Sequence, residues 1–599
     1  MTPGKAGRTS WSRRARIQDR PGDSASHPSK LTQRTSQWVM GFPRRETSTV
    51  VRTLVPNVLM VSPRFTGQSF WNYRETCAIV GARYVAAPLG LITVAALLPK
   101  SWPVRLIDRN TSSLAEEDLR WADLVMIGGM LSQQPDAKRV IAMAHDHHKP
   151  VVVGGPDVTL SPGVYEEAEF RVLGEAEDIM GDFVAAWQAG ERRGVFTARS
   201  FPDLTASPVP RFDLLRLGDY MHVGVQFGRG CPFHCEFCSV IELNGRVPRQ
   251  KSPTQILAEL DTLYELGYRG HVDFVDDNLI GNRKAVRALL AALTTWRGRH
   301  GYPFEFTSEA CLGLADDEEL LMLMARAGFF AVFVGIETPD PRVLHRTQKA
   351  HNTKKDIAAS IRRINQAGMF VNAGFIVGFD GESGSVADSM IDCIEDAAIP
   401  ICMVGLLYAL PHTQLSRRLQ QEGRLHPDID RDFSDSDADQ CTSGLNYQTQ
   451  RPRNEILRDY RAVIEAIYAP HAFFARVRRL NRALDLSQHR IRTPLRRQWR
   501  DLRSLAKISW RLGVRDREAR SAYWHTFGDC LTHNPRSLRS AVTFAALYLH
   551  IKPYARFLQD RLDRQMTMPE LEPLQMPSTA CPPEGPRVEA KQPVGAAVR

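Results

Sequence analysis

Two consecutive series of short apolar runs constrain the fold of this chain more than any other feature. In the first, Val58–Val61, Val104–Ile107, Leu124–Ile127, Val151–Val153 and Arg171–Leu173 are separated by stretches of helical periodicity. Each run closes on its carboxyl side in loop-forming residues: Ser62-Pro63, Asp108, Gly128-Gly129, Gly154-Gly155-Pro156 and Gly174-Glu175. Strands that are apolar almost throughout, alternating with helices, require a parallel sheet covered on both faces. Ligands of such a sheet bind beyond the carboxyl ends of the strands, where these glycines stand. Pro88 marks a helix start, and Leu89–Leu98 is apolar almost all round, which predicts a buried helix.

The alternation then restarts with Val223–Phe227, Val272–Val275, Phe304–Thr307, Ala331–Gly335, Val371–Val377 and Met403–Leu407. Helical stretches such as Thr254–Leu266, Asp316–Ala327 and Lys354–Ala367 lie between, with Gly267, Gly328 and Gly368 at their ends. Six β/α units predict a full or partial β/α barrel with its chemistry on the carboxyl face. Beyond about residue 452 the pattern is helical. The expected organisation is α/β: a basic disordered segment over 1–50, a Rossmann-like domain over 51–200 and the barrel over 215–420. A mainly helical domain over 421–565 and a Pro-rich unstructured tail over 566–599 complete it.

The net charge of +10 has to be located before it is interpreted. Residues 1–50 carry ten Lys and Arg against three acids, a second basic stretch runs from Arg476 to Arg520, and the middle is close to balanced. A balanced centre argues against a nucleic-acid-binding core. The ten cysteines are scattered apart from one group of three, so no disulfide framework is expected and a reducing, cytoplasmic setting fits. No apolar run reaches the ~18 residues of a membrane span.

The group of three is Cys231-Pro-Phe-His-Cys235-Glu-Phe-Cys238, directly after the first strand of the second series. Three thiolates on one loop can take three irons of a [4Fe–4S] cube and leave the fourth open to the amino and carboxylate groups of S-adenosylmethionine (SAM). The alternative is a zinc knuckle with His234 or a distant cysteine as fourth ligand. The spacing and the barrel that follows favour the cluster.

With this motif the chain resembles the radical SAM superfamily, and within it the cobalamin-binding class, over roughly residues 55–420. The resemblance implies that Phe237 contacts the adenine of SAM. It further implies that Val275-Asp276-Asp277-Asn278 lies near the methionyl amine, and that Glu337, Gly374 and Gly378 belong to the later SAM-binding strand ends. In the first series Ser62, Arg64, Gly128, Met130, Gly154, Gly155, Pro156 and Gly174 resemble the loops that surround cobalamin. The D-x-H-x-x-G string that supplies an axial histidine in other cobalamin proteins is absent, and Asp146-His147-His148 has the wrong spacing.

What the resemblance implies is a C-methyltransferase with a [4Fe–4S] cluster, SAM and cobalamin as cofactors and a flavodoxin- or ferredoxin-type electron donor. Its layout is similar to that of hopanoid and bacteriochlorophyll methylases, so the expected substrate is an apolar, lipid-like natural product. A cobalamin-dependent oxidoreductase or cyclase without methyl transfer, and a non-catalytic cobalamin or redox sensor, are the alternatives. Arg476, Arg478, Arg479, Arg490, Arg492, Arg496, Arg497 and Arg500 alternate with Phe473, Phe474, Leu480, Leu484, Leu495 and Trp499, and Val542–Ile551 is apolar. That pattern suits either a membrane-surface contact, peripheral to the inner membrane, or a lid over the barrel.

Overall fold

The first series of apolar runs becomes a sheet buried on both faces in the computed structural model, which describes residues 55–65, 67–426, 439, 441–492 and 495–567. Its side chains at 495–497 are not described; the segment expected to be disordered over 1–50 lies outside the described residues, as does the tail expected over 566–599 apart from Met566 and Thr567, which end a helix. The first seven strands are β1 (Val58–Ser62), β2 (Tyr84–Ala86), β3 (Val104–Asp108), β4 (Leu124–Gly128), β5 (Val151–Gly154), β6 (Phe170–Leu173) and β7 (Gly194–Thr197). All except β2 form one parallel sheet in the order β3-β1-β4-β5-β6-β7. Alternation of side chains sends Leu59, Val61, Val125 and Val153 into one core layer and Val58, Met60, Met126 and Val152 into the other. The edge strand β7 escaped the sequence reading because its four residues are half or fully exposed.

The second series gives β8 (Tyr220–Val225), a two-stranded antiparallel ribbon of β9 (Gly228–Arg229) and β10 (Arg249–Gln250), and then β11 (Gly270–Phe274). β12 (Phe304–Ala310), β13 (Phe329–Glu337), β14 (Phe370–Val377) and β15 (Cys402–Leu406) follow. The barrel is partial: seven parallel strands in the order β15-β14-β13-β12-β11-β8-β2. The seventh is β2, which neither series of runs included and which lies between β1 and β3 in sequence: Tyr84 pairs with Tyr220 and Ala86 with His222.

The helix Leu89–Leu97 lies between the two sheets, which explains its uniform hydrophobicity. Leu91 fits over Gly128 of β4, where a Cβ would come within 3.0 Å of it, and Leu89 fits over Gly224 of β8. Glycine at both positions is what allows so close an approach.

The helical region packs on the open side of the barrel. Tyr460 donates to Val404 O at 2.6 Å, Ser504 to Ile79 O at 3.1 Å, and Thr76 to Ala546 O at 2.9 Å. A membrane face over the whole stretch from Phe473 to Leu484 and from Val542 to Ile551 is not what the structure contains. Phe473, Phe474, Leu480, Leu484, Phe544 and Ile551 are core. Arg476 is fully buried, donating to Ile399 O at 2.8 Å and pairing with Glu395, while Arg479 pairs with the same carboxylate. These two cations satisfy groups of the barrel. Among the described residues no helix is long and apolar enough to cross a membrane.

Candidate active site

Cys231, Cys235 and Cys238 stand on the loop between β9 and the short helix Val240–Leu243, on the carboxyl side of β8. The loop's course is fixed from outside. Cys231 N–H donates to Gly245 O at 3.2 Å, Glu236 N–H to Thr347 O at 3.0 Å, and Leu415 N–H to Glu236 O at 2.8 Å. The buried Glu236 carboxylate accepts two bonds from the Arg418 guanidinium, at 3.0 and 3.1 Å. Burial pushes the thiols up, Cys235 to about 11 and Cys238 to about 12, with the Lys349 ammonium acting against it at both. Thiols made reluctant to ionise by burial suit a ligand that brings its own positive charge. His234 is exposed and meets Arg246. Among the described residues no three His, Cys, Asp or Glu side chains converge on one ion. Thiolates that each take a separate iron need not converge in that way, so the donor set fits a cube with three protein ligands.

The residues expected around SAM gather beside this loop. The Phe237 ring lies 5.4 Å from that of Phe379, which follows Gly378, and Lys349 Nζ is 5.9 Å from it. Glu337 ends β13 with a φ of 69° and pairs with Lys349 at 2.6 Å. Gly374 stands opposite Gly335 in the β13–β14 pairing. Gly378 donates to the Glu382 carboxylate at 3.0 Å, and its carbonyl accepts from Tyr447 at 2.6 Å.

The acidic pair behaves differently from a simple ligand set. Both Asp276 oxygens accept backbone N–H bonds, from Phe227 at 3.0 Å and from Gly228. Asp277 Oδ2 accepts from Gly230 N–H and Asn244 Nδ2, each at 2.9 Å. These carboxylates therefore shape the turn that leads into Cys231. Among the described residues no partner is seen for Asp277 Oδ1, and next to it the Asn278 side chain, which hydrogen-bonds Cys231, carries a buried Oδ1 without a partner. An orphaned acceptor beside the cysteine loop is the kind of group a ligand ammonium satisfies.

Ser62, Arg64, Gly128, Met130, Gly154, Gly155, Pro156 and Gly174 all fall at or just beyond the carboxyl ends of β1, β4, β5 and β6. Met130 is 54% exposed there. His145, His147 and His148 lie at the opposite edge, where the helix Gln134–Asp146 ends before β5 begins. The carboxyl edge therefore presents an exposed Met130 among glycine turns, and these three histidines are not on it. An ion-pair bridge joins this edge to the cysteine loop. Arg229, two residues before Cys231, pairs with Glu175 at 2.6 Å and Glu177 at 2.8 Å, and Arg249 of β10 also grips Glu175.

Below lies the barrel lumen. His271 Nε2 is 2.6 Å from Thr307 Oγ1, and Thr307 donates to Asp273. Glu309 is accessible to a water-sized sphere yet ringed by protein. Burial, reinforced by Asp273, Asp277, Asp276 and Glu337, raises it to about 8. Exposed Val275, with Trp71 tilted against Phe333 at 5.3 Å, adds apolar wall. Glu236, Arg229 and Lys349 were missed as site residues. The first two flank the cysteines, and that adjacency was the available signal.

Comparison with known proteins agrees with this geometry. The radical SAM superfamily profile matches residues 225–394, and a domain-of-unknown-function profile matches 413–564. An uncharacterized methyltransferase of Synechocystis sp. is 41% identical over 85% of this chain and 94% of its own length. The hopanoid C-2 methylase of Rhodopseudomonas palustris is 34% identical over 78% of this chain and 88% of its own. The chain belongs to their family of radical SAM enzymes. The fold of this radical SAM enzyme is similar to that of OxsB, a cobalamin-dependent SAM radical enzyme solved with aqua-cobalamin and SAM. That match has a TM-score of 0.54 at 14% identity and covers 86% of this chain and 82% of OxsB.

Proposed function

We propose that this radical SAM enzyme is a cobalamin-dependent C-methyltransferase acting on an unactivated carbon of an apolar, lipid-like natural product. The observation that carries the reading is the bridge from Glu175 and Glu177 to Arg229, which ties one sheet's carboxyl edge to the cysteine loop of the other. Two cofactor sites held at fixed separation suit a reaction in which one opens a C–H bond and the other delivers the methyl group. When bound, the cluster supplies the electron that splits SAM to a 5′-deoxyadenosyl radical, and cobalamin supplies a transferable methyl.

In this reading residues 51–200 bind cobalamin, 215–420 hold cluster and SAM, and 421–565 close the barrel. Cys231, Cys235 and Cys238 hold the cube. Phe237 offers a face to adenine, Asp277 Oδ1 and Asn278 Oδ1 accept from the methionyl ammonium, and Glu337, paired with Lys349, faces Gly374. The lumen walled by Trp71, Phe333 and Val275 receives the substrate and keeps water from the radical. The name of the Rhodopseudomonas relative supports a lipid-like substrate, and a peripheral membrane contact would bring the enzyme to it. A flavodoxin- or ferredoxin-type protein serves as electron donor.

Anaerobic reconstitution with cluster and hydroxocobalamin, followed by mass analysis of SAM-derived products, tests the proposal. Both 5′-deoxyadenosine and S-adenosylhomocysteine are expected. 5′-Deoxyadenosine without S-adenosylhomocysteine would replace methyl transfer by a cyclase or oxidoreductase activity, and neither product would leave a sensor.

A further inference from the structure

Of the fourteen large apolar side chains that are exposed among the described residues, six lie between Trp499 and Leu531. Scattered apolar residues need no explanation, but a concentration of this kind does. Its geometry follows from the helix Leu495–Ile508 and the π-helical turn Ser509–Arg515 that continues it. Ser504, Ile508 and Leu512 are buried, and Ser504 is anchored on Ile79 O. Opposite them, at ~100° per residue, Trp499 and Trp510 fall within ~20° of each other and Leu502 within ~60° of Trp499. Their exposures are 66, 58 and 56%. Trp524 of the helix Arg520–His533 joins the stripe by lying on Gly513, its Nε1 donating to Gly513 O at 2.9 Å.

Cations flank this stripe. Between Leu495 and Arg520 nine Arg and Lys stand against three acids. Arg500, Arg503 and Lys507 lie along one side of the stripe, exposed and without an ion pair in the described structure. A cleft of about 510 Å³ opens alongside, with Arg515 and Arg517 among its lining residues. Two of the three acids, Asp516 and Glu518, are already neutralised by Lys552.

We propose that this surface docks on an anionic lipid bilayer. Tryptophan is suited to the headgroup level, where its ring is buried and its N–H stays wet, and the unpaired cations match the phosphates around it. A second copy of this chain would set the same excess of positive charge against itself across a two-fold interface. The proposal names the surface for the membrane contact suggested above. Its test reads binding and not methyl transfer, so it can fail while the enzymatic reading stands.

The test is sedimentation of the full chain with phosphatidylglycerol-containing and pure phosphatidylcholine vesicles at low and high salt. Wild type should pellet with the anionic vesicles only and be released by salt. At ~1 kcal/mol per cation, Arg500→Gln/Arg503→Gln/Lys507→Gln should lower the partition coefficient about 100-fold. Trp499→Ser/Trp510→Ser should also lower it, with unchanged far-UV circular dichroism. The proposal is overturned if wild type stays in the supernatant, or if both variants bind as wild type does. It is equally overturned if wild type is a dimer that the tryptophan variant converts to monomer, since a second copy would then cover the face.

Discussion

Arg229→Gln probes the joint between the two sheets. In the folded protein Arg229, Glu175 and Glu177 have side-chain exposures of 14, 6 and 5%. Burial raises Glu177, but the hydrogen bond and charge of Arg229 more than offset this and leave its pKa below the usual glutamate value. Without Arg229, Glu175 keeps Arg249, whereas Glu177 retains the Ser207 hydroxyl and its own backbone N–H but no cation among the described residues. Stranding one buried carboxylate costs about 3 kcal/mol, the lower end of the range for broken buried pairs, because half of the cluster survives. A cooperative unit of about 500 residues unfolds with an entropy of about 1 kcal/mol/K, so the midpoint should fall by about 3 °C at pH 7. A depressed pKa contributes stability that is present above the unfolded value and lost as pH falls through the folded one. In the variant burial is opposed only by neutral hydrogen bonds, from Ser207 and the residue's own N–H, so the folded pKa should rise and the penalty be relieved as pH falls. Calorimetry at pH 7 and pH 5 should therefore show the gap between wild type and variant narrowing on acidification. A shift below about 1 °C at pH 7, or an equal shift at both pH values, would refute the assignment of this bridge.

Three further outcomes are expected. Alanine at Cys231, Cys235 or Cys238 should abolish 5′-deoxyadenosine formation and lower bound iron, whereas Cys311→Ala and Cys530→Ala should retain iron; undiminished SAM cleavage by Cys235→Ala would remove the cluster assignment. Electron paramagnetic resonance of the cob(II)alamin-loaded protein with isotope-labelled histidine should show no coupling to a protein histidine, and such a coupling would refute cobalamin binding without a histidine ligand. Asp276→Asn presents one acceptor where two backbone N–H groups require two, costing about 1–3 kcal/mol at the turn before Cys231. It should lower iron retention while far-UV circular dichroism is unchanged, and normal loading would mean that Asp276 does not shape the loop.

The strands inside both sheets were legible because burial on two faces leaves them apolar throughout, as in Val151–Val153, or almost so, as in Val371–Val377 with its single Asn372. Strands β2 and β7 were not, being short edge elements whose side chains are only partly covered. Charge patterning misled at Arg476, because an arginine that serves Ile399 O and Glu395 looks like any other until residues about 80 positions away are brought beside it. The motif's Asp276 and Asp277 do stand beside the cysteine loop. That their oxygens hold the backbone of residues 227–230 is a tertiary fact which spacing does not encode.

The pairing of β2 with β8 has a consequence for how the molecule can be taken apart and how it can move. Three residues that precede most of the Rossmann-like sheet in sequence are hydrogen-bonded into the barrel. A cut between residues 200 and 215 would place the two strands in different fragments and leave β8 with a bare row of N–H and C=O groups, a template for aggregation. The same stitch denies the barrel a free swing away from its neighbour. The spacing between the two carboxyl edges is therefore set when the chain folds.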